Sequence, residues 1–102
     1  MPEFQFAIHK NEIADGEKKL VEVGDQIVLI FRIGEQFFCI DDVCTHDGGT
    51  LGDGDHNGYE IECPRHGARF DIRNGKPLCM PATKPTAVHE CRVDANQVFV
   101  KV

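Results

Sequence analysis

The sequence predicts an all-β domain, and three observations carry that prediction. Turn signals recur at short intervals, at Gly24-Asp25, Gly34-Glu35, Asn74-Gly75 and Asp94-Ala95-Asn96. Between them lie runs rich in β-branched and aromatic residues. Only one segment, residues 10–16, invites a helical turn, and it is short.

Taken in order, the expected strands are residues 4–8, 19–23, 26–33, 36–41, 59–62, 88–93 and 97–102. The third, Gln26-Ile-Val-Leu-Ile-Phe-Arg-Ile33, is nearly all apolar, which is the pattern of a strand covered on both faces. In the last, Val98 and Val100 alternate with Phe99 and Lys101, as expected of a half-buried edge. Residues 42–58 break the rhythm with a loop rich in glycine and aspartate. A loop of this length in a small domain is usually functional or disordered. A second tight segment, Cys63-Pro64-Arg65-His66-Gly67, follows it. The two read as loops projecting from a β base.

The chain has 102 residues, enough for one domain with a modest core and too few for two. The apolar fraction of 41% and charged fraction of 27% are those of a globular chain, which argues against disorder. A formal net charge of −6 argues against a nucleic-acid binder and fits a positively patched protein partner, or plain solubility. The start, Met-Pro-Glu-Phe-Gln, lacks a basic region followed by an apolar stretch, so no signal peptide is expected. The longest strongly apolar run, residues 27–31, is far too short to span a bilayer. The expectation is a cytoplasmic chain. Five cysteines make an odd count, which suits core residues and metal ligands better than a closed disulfide framework.

Four residues carry chemistry. Cys44-Thr45-His46 is followed, after sixteen residues, by Cys63-Pro64-Arg65-His66. Two thiolates and two imidazoles in paired short motifs form a metal site by ligand type and spacing. Zinc accepts this donor set, and Cys63-x-x-His66 would suit it. Cys44-x-His46 is tighter: in extended chain its side chains leave one face from positions roughly 6.6 Å apart. That spread favours two neighbouring irons while leaving zinc open.

The paired motifs resemble the cluster-binding signature of Rieske iron–sulfur proteins. The likeness covers residues 41–49, residues 63–71, the Asn74-Gly75-Lys76 turn, the Pro81-Ala82 loop and the Val98-Phe99-Val100 strand. It implies a Rieske fold, an antiparallel β-sandwich base with a small subdomain of two loops, spanning residues 1–102, the cluster-binding loops within about 42–71. It implies one [2Fe–2S] cluster, with Cys44 and Cys63 on one iron and His46 and His66 on the other. Replacing two thiolates by imidazoles raises the potential, to between about −150 and +300 mV for this class.

Higher-potential members of the family carry an extra disulfide, where this chain has Gly49 and Arg65. They also carry a Ser and a Tyr that donate to sulfur, where this chain has Ala68 and Phe70. Hydrogen bonds to sulfur stabilise the reduced cluster, so their absence implies the low end of the range. The pattern is similar to the Rieske ferredoxins of bacterial ring-hydroxylating dioxygenase systems. That resemblance implies a monomeric electron carrier with no catalysis of its own, taking electrons from a flavin-dependent NAD(P)H reductase to a terminal oxygenase. It also implies that His46 and His66 sit at an exposed tip.

The other readings are a small subunit of a nitrite reductase-type complex and a zinc-stapled interaction module. An oxygenase catalytic subunit would need a mononuclear iron domain, for which 102 residues leave no space. Cys39 and Cys91 read as core residues, and Cys79 lies beside the loop resembling the family's cluster cover. His9, His56 and His89 read as ordinary surface or partly packed side chains. Asp47, Asp53 and Asp55 read as solvated loop charges, without the spacing of a calcium loop.

Overall fold

The computed structural model describes residues 4–43, 50–64, 67–80 and 84–101. Among these are eleven strands: β1 (Phe4–His9), β2 (Lys18–Val23), β3 (Gln26–Ile33), β4 (Gln36–Asp41), β5 (His56–Asn57), β6 (Glu60–Glu62), β7 (Arg69–Asp71), β8 (Pro77–Cys79), β9 (Val88–His89), β10 (Cys91–Asp94) and β11 (Gln97–Lys101). They form three antiparallel sheets, ordered β1-β11-β10, β2-β3-β4-β9 and β5-β6-β7-β8. The helical expectation at residues 10–16 reduces to one 3₁₀ turn, Lys10–Glu12. No helix among the described residues is long and apolar enough to cross a membrane.

The apolar run in β3 is explained by the layering. Successive side chains of a strand point to opposite faces. Val28 and Ile30 point into one core with Phe37 and Cys39 of β4, Ile8 of β1, and Val98 and Val100 of β11. Leu29 and Phe31 point the other way, joining Ile40, Leu51, Ile61, Cys63, Ala68, Phe70 and Ile72. The central sheet is therefore shared by two cores, and burying each large side chain contributes roughly 1.5–3 kcal/mol. Coverage stops short of the strand's start, where Ile27 is 60% exposed opposite Glu22.

Three strand expectations need correction. Residues 88–93 are not one strand: β9 pairs with β4 through His89 and Cys39, whereas β10 pairs with β11 through Cys91 and Val100. The chain changes sheets at Glu90, whose carbonyl accepts the Lys101 N–H. The last strand is not an edge but the centre of its sheet, between β1 and β10. Alternation reports which faces are covered, not how many neighbours a strand has. Finally β5, inside the expected loop, and β7 and β8, beyond it, are strands of two or three residues. Pieces this short are fixed by packing rather than by propensity.

Candidate metal centre

The short-stranded sheet carries the second motif. Between β6 and β7 the Cys63 N–H donates to the Ala68 carbonyl at 2.6 Å, and the Gly67 N–H donates to the Cys63 carbonyl at 3.1 Å. Gly67 has φ of +75°, a backbone region that L side chains rarely adopt, and glycine reaches it without steric cost. The chain thus turns back tightly just past His66. Cys63 has no exposed surface and belongs to the apolar cluster that β3 and β4 share with β6 and β7.

The first motif is approached from both sides. Asp41 ends β4, its N–H bonded to the Ala87 carbonyl at 2.9 Å and its carboxylate 2.7 Å from His89 Nε2. The Asp42 carboxylate accepts the Leu51 N–H at 2.8 Å, and the Thr86 hydroxyl donates to the Val43 carbonyl at 3.1 Å. Leu51 is fully buried in the same cluster as Cys63. The return of the chain from the first motif and the start of the second therefore meet in one core. Against the outside of that core, Gly54 lies where any Cβ would collide with the Glu62 carbonyl, so the 51–55 turn can lie flat on β6.

Of the four expected ligands, Cys63 is described; Cys44, His46 and His66 lie outside the described residues, as do Asp47, Gly49, Arg65 and the Pro81-Ala82 loop. The described part fits an iron–sulfur cluster. A soft, buried thiol stands at a glycine turn, and Ala68 and Phe70, both fully buried, bring no hydroxyl. Cys79 adjoins the turn, its Sγ 3.5 Å from the Gly67 carbonyl oxygen. Cys39 is buried as expected, whereas Cys91 is only partly so; a hydrogen bond with the Cys91 thiol, then burial, hold the Cys39 thiol far above its ordinary range. His89 is partly packed, one of the two expected outcomes, with its Nε2 against the Asp41 carboxylate. His56 packs edge-on to Phe31, with ring centroids 4.7 Å apart. Asp53 and Asp55 are exposed, as expected of solvated loop charges. On the outer face of this sheet Arg69 pairs with Glu60 and Glu62 at 4.0 and 3.5 Å, leaving a surface with more acid than base.

Asp42 and Thr86 were not legible as site residues. An aspartate just ahead of a ligand loop is a weak signal, since such side chains cap many turns. Thr86 is brought in by tertiary folding alone.

The domain model of the Rieske [2Fe-2S] family matches residues 3–94, and the chain belongs to that family. Its cofactor is one [2Fe–2S] cluster, which resolves the choice between two irons and zinc that ligand type left open. Its relatives are more particular. It is 36% identical over 83 residues to the ferredoxin CarAc of Metapseudomonas resinovorans, covering 81% of this chain and 78% of that one. It is 35% identical over 92 residues to the anthranilate 1,2-dioxygenase ferredoxin subunit of Burkholderia cepacia, covering 90% and 85%. Among solved structures it superposes on the ferredoxin of carbazole 1,9a-dioxygenase from Nocardioides aromaticivorans IC177 with a TM-score of 0.90, at 27% identity and 95% coverage of both chains. A structure of the complex of reduced oxygenase and oxidized ferredoxin in carbazole 1,9a-dioxygenase matches with a TM-score of 0.88 at 32% identity, covering 96% and 92%. The chain is a Rieske electron carrier of the ferredoxin kind.

Proposed function

We propose that this chain acts as a monomeric, single-domain cytoplasmic ferredoxin over residues 1–102. It passes single electrons from a flavin-dependent NAD(P)H reductase to a terminal oxygenase and catalyses nothing itself. Cys44 and Cys63 hold one iron, and His46 and His66 the other. When bound, the cluster supplies a one-electron couple. The protein's own part is to bury the thiol of Cys63, to hold the flanks of both motifs against one core, and to keep side-chain hydroxyls away from that thiol.

The observation that carries this reading is the meeting of Leu51 and Cys63 in one apolar cluster, which brings the flanks of both motifs together. The relatives support the choice of partner, since one solved match holds an oxygenase and its ferredoxin together. The acidic surface around Glu60 and Glu62 suits a basic docking face.

The test is the iron and acid-labile sulfide content of aerobically purified protein, with absorption spectra before and after dithionite. Two irons and two sulfides per chain, with visible bands that bleach, are expected. His46→Ala and His66→Ala should each abolish that spectrum, and its persistence in either variant would overturn the ligand assignment. One zinc, no sulfide and a colourless solution would overturn the carrier reading.

A further inference from the structure

We propose that Asp42 is a positioning residue for the first ligand loop, its carboxylate clasping the two ends of residues 44–49 together. This rests on the reading of Cys44 and His46 as ligands. The three residues before Cys44 are each held by a different partner: Asp41 by Ala87 and His89, Asp42 by Leu51, Val43 by Thr86. Two of these ties fasten the leading end of the loop to the chain that runs into β9. The Asp42 bond is different, because it crosses from one end of the loop to the other, nine positions along the chain.

The far end of the clasp is itself anchored. Leu51 has no exposed surface and packs in the cluster that holds Cys63, Ala68 and Phe70. Asp42 is thus tied through Leu51 to the cluster that holds Cys63, so the described residues on either side of the first motif are fixed relative to that thiol. A glutamate at position 42 carries its carboxylate one methylene further from the backbone, so its oxygen no longer stands where the Leu51 N–H meets Asp42 Oδ1 at 2.8 Å. Without the acceptor, the N–H of a buried leucine loses its partner and the loop ends are free to separate. A ligand loop held closed in advance has less ordering to do when it binds iron, and releases it more slowly.

Charge and hydrogen-bond geometry separate in two variants. Asp42→Asn keeps the acceptor oxygen in place and removes the charge, whereas Asp42→Glu keeps the charge and misplaces the oxygen. The measurement is the rate at which cluster-loaded protein loses its visible absorption in excess iron chelator, with far-UV circular dichroism as a check on folding. Asp42→Asn should lose its cluster within about twofold of the wild-type rate, because the same bond is made. Asp42→Glu and Asp42→Ala should lose it about tenfold faster, the factor expected for one hydrogen bond. If Asp42→Ala does not accumulate, the Asn and Glu variants decide the matter alone. Equal rates in both, fast loss in both, or fast loss in Asn with a normal rate in Glu would each overturn the clasp. A wild-type chain that holds no iron and sulfide would overturn the ligand assignment, and with it this role for Asp42.

Discussion

Asp71 shows how much one side chain fixes next to the ligand turn. It ends β7, and its carboxylate accepts the Arg73 backbone N–H at 2.8 Å, Arg73 Nε at 3.0 Å and Nη2 at 2.8 Å. The guanidinium also lies over Tyr59, 4.3 Å from the ring centroid. The Arg73 side-chain hydrogen bonds hold the Asp71 carboxyl below its ordinary value, against the opposing effect of burial. A carboxyl lowered by folding adds stability above its unfolded pKa, about 3.9, and that stability is lost as pH falls through the folded value. Asp71→Asn should therefore cost about 1 kcal/mol near pH 7, a figure kept small by the exposure of Arg73. The gap between the variant and the wild type should hold down to about pH 4 and close below it. Urea unfolding at several pH values checks this, and a gap that widens in acid would refute it. Ala68 and Phe70 make a prediction about redox tuning at the same scale. Both are fully buried beside Cys63 and neither has a donor, so the wild-type potential should lie near the low end of its class, about −150 mV. Ala68→Ser and Phe70→Tyr should raise it, as read by redox titration. A wild-type potential well above zero would remove the basis of the argument.

The hairpin joining β10 to β11 carries strain at the level of an element. Asp94 pairs with Gln97 across a two-residue connection, Ala95-Asn96, and Ala95 has φ of +56°. Two-residue hairpin turns need positive φ at the first central position, where glycine is preferred and an L side chain is strained. Ala95→Gly should stabilise the fold by about 0.5–1 kcal/mol, raising the thermal midpoint by a few degrees in calorimetry; a lowered midpoint would count against it. The turn itself was legible in Asp94-Ala95-Asn96, and β3 and β4 match their expected limits, because long runs of one pattern identify long strands. What escaped was set by contacts distant in sequence. Nothing in residues 88–93 marks Glu90 as the point where the chain leaves one sheet for another, and Arg69–Asp71 and Pro77–Cys79 are too short to show a period. The site divides the same way: the paired Cys-x-His and Cys-x-x-His motifs are written in the chain, whereas the ties of Asp42 to Leu51 and Thr86 to Val43 exist only once the sheets are packed.

For the whole molecule, the layering sets an order of stability. The core between the β1-β11-β10 sheet and the central sheet is spanned by strands of four to eight residues, β9 apart. The strands of the third sheet have two or three residues each, and their core includes Cys63. Strands so short have little independent stability, and a cofactor that binds only the folded form stabilises what it binds. Removing the iron with a chelator under reducing conditions should therefore loosen the molecule from one side. Hydrogen exchange followed by mass spectrometry should show residues 51–79 losing protection first. Residues 18–41 and 91–101 should keep most of theirs, since Val28, Ile30, Val98 and Val100 stay buried in a core with no ligand in it. Equal loss across all three sheets would mean that the central sheet couples its two cores into one cooperative unit, and that the cluster holds the base as firmly as the tip.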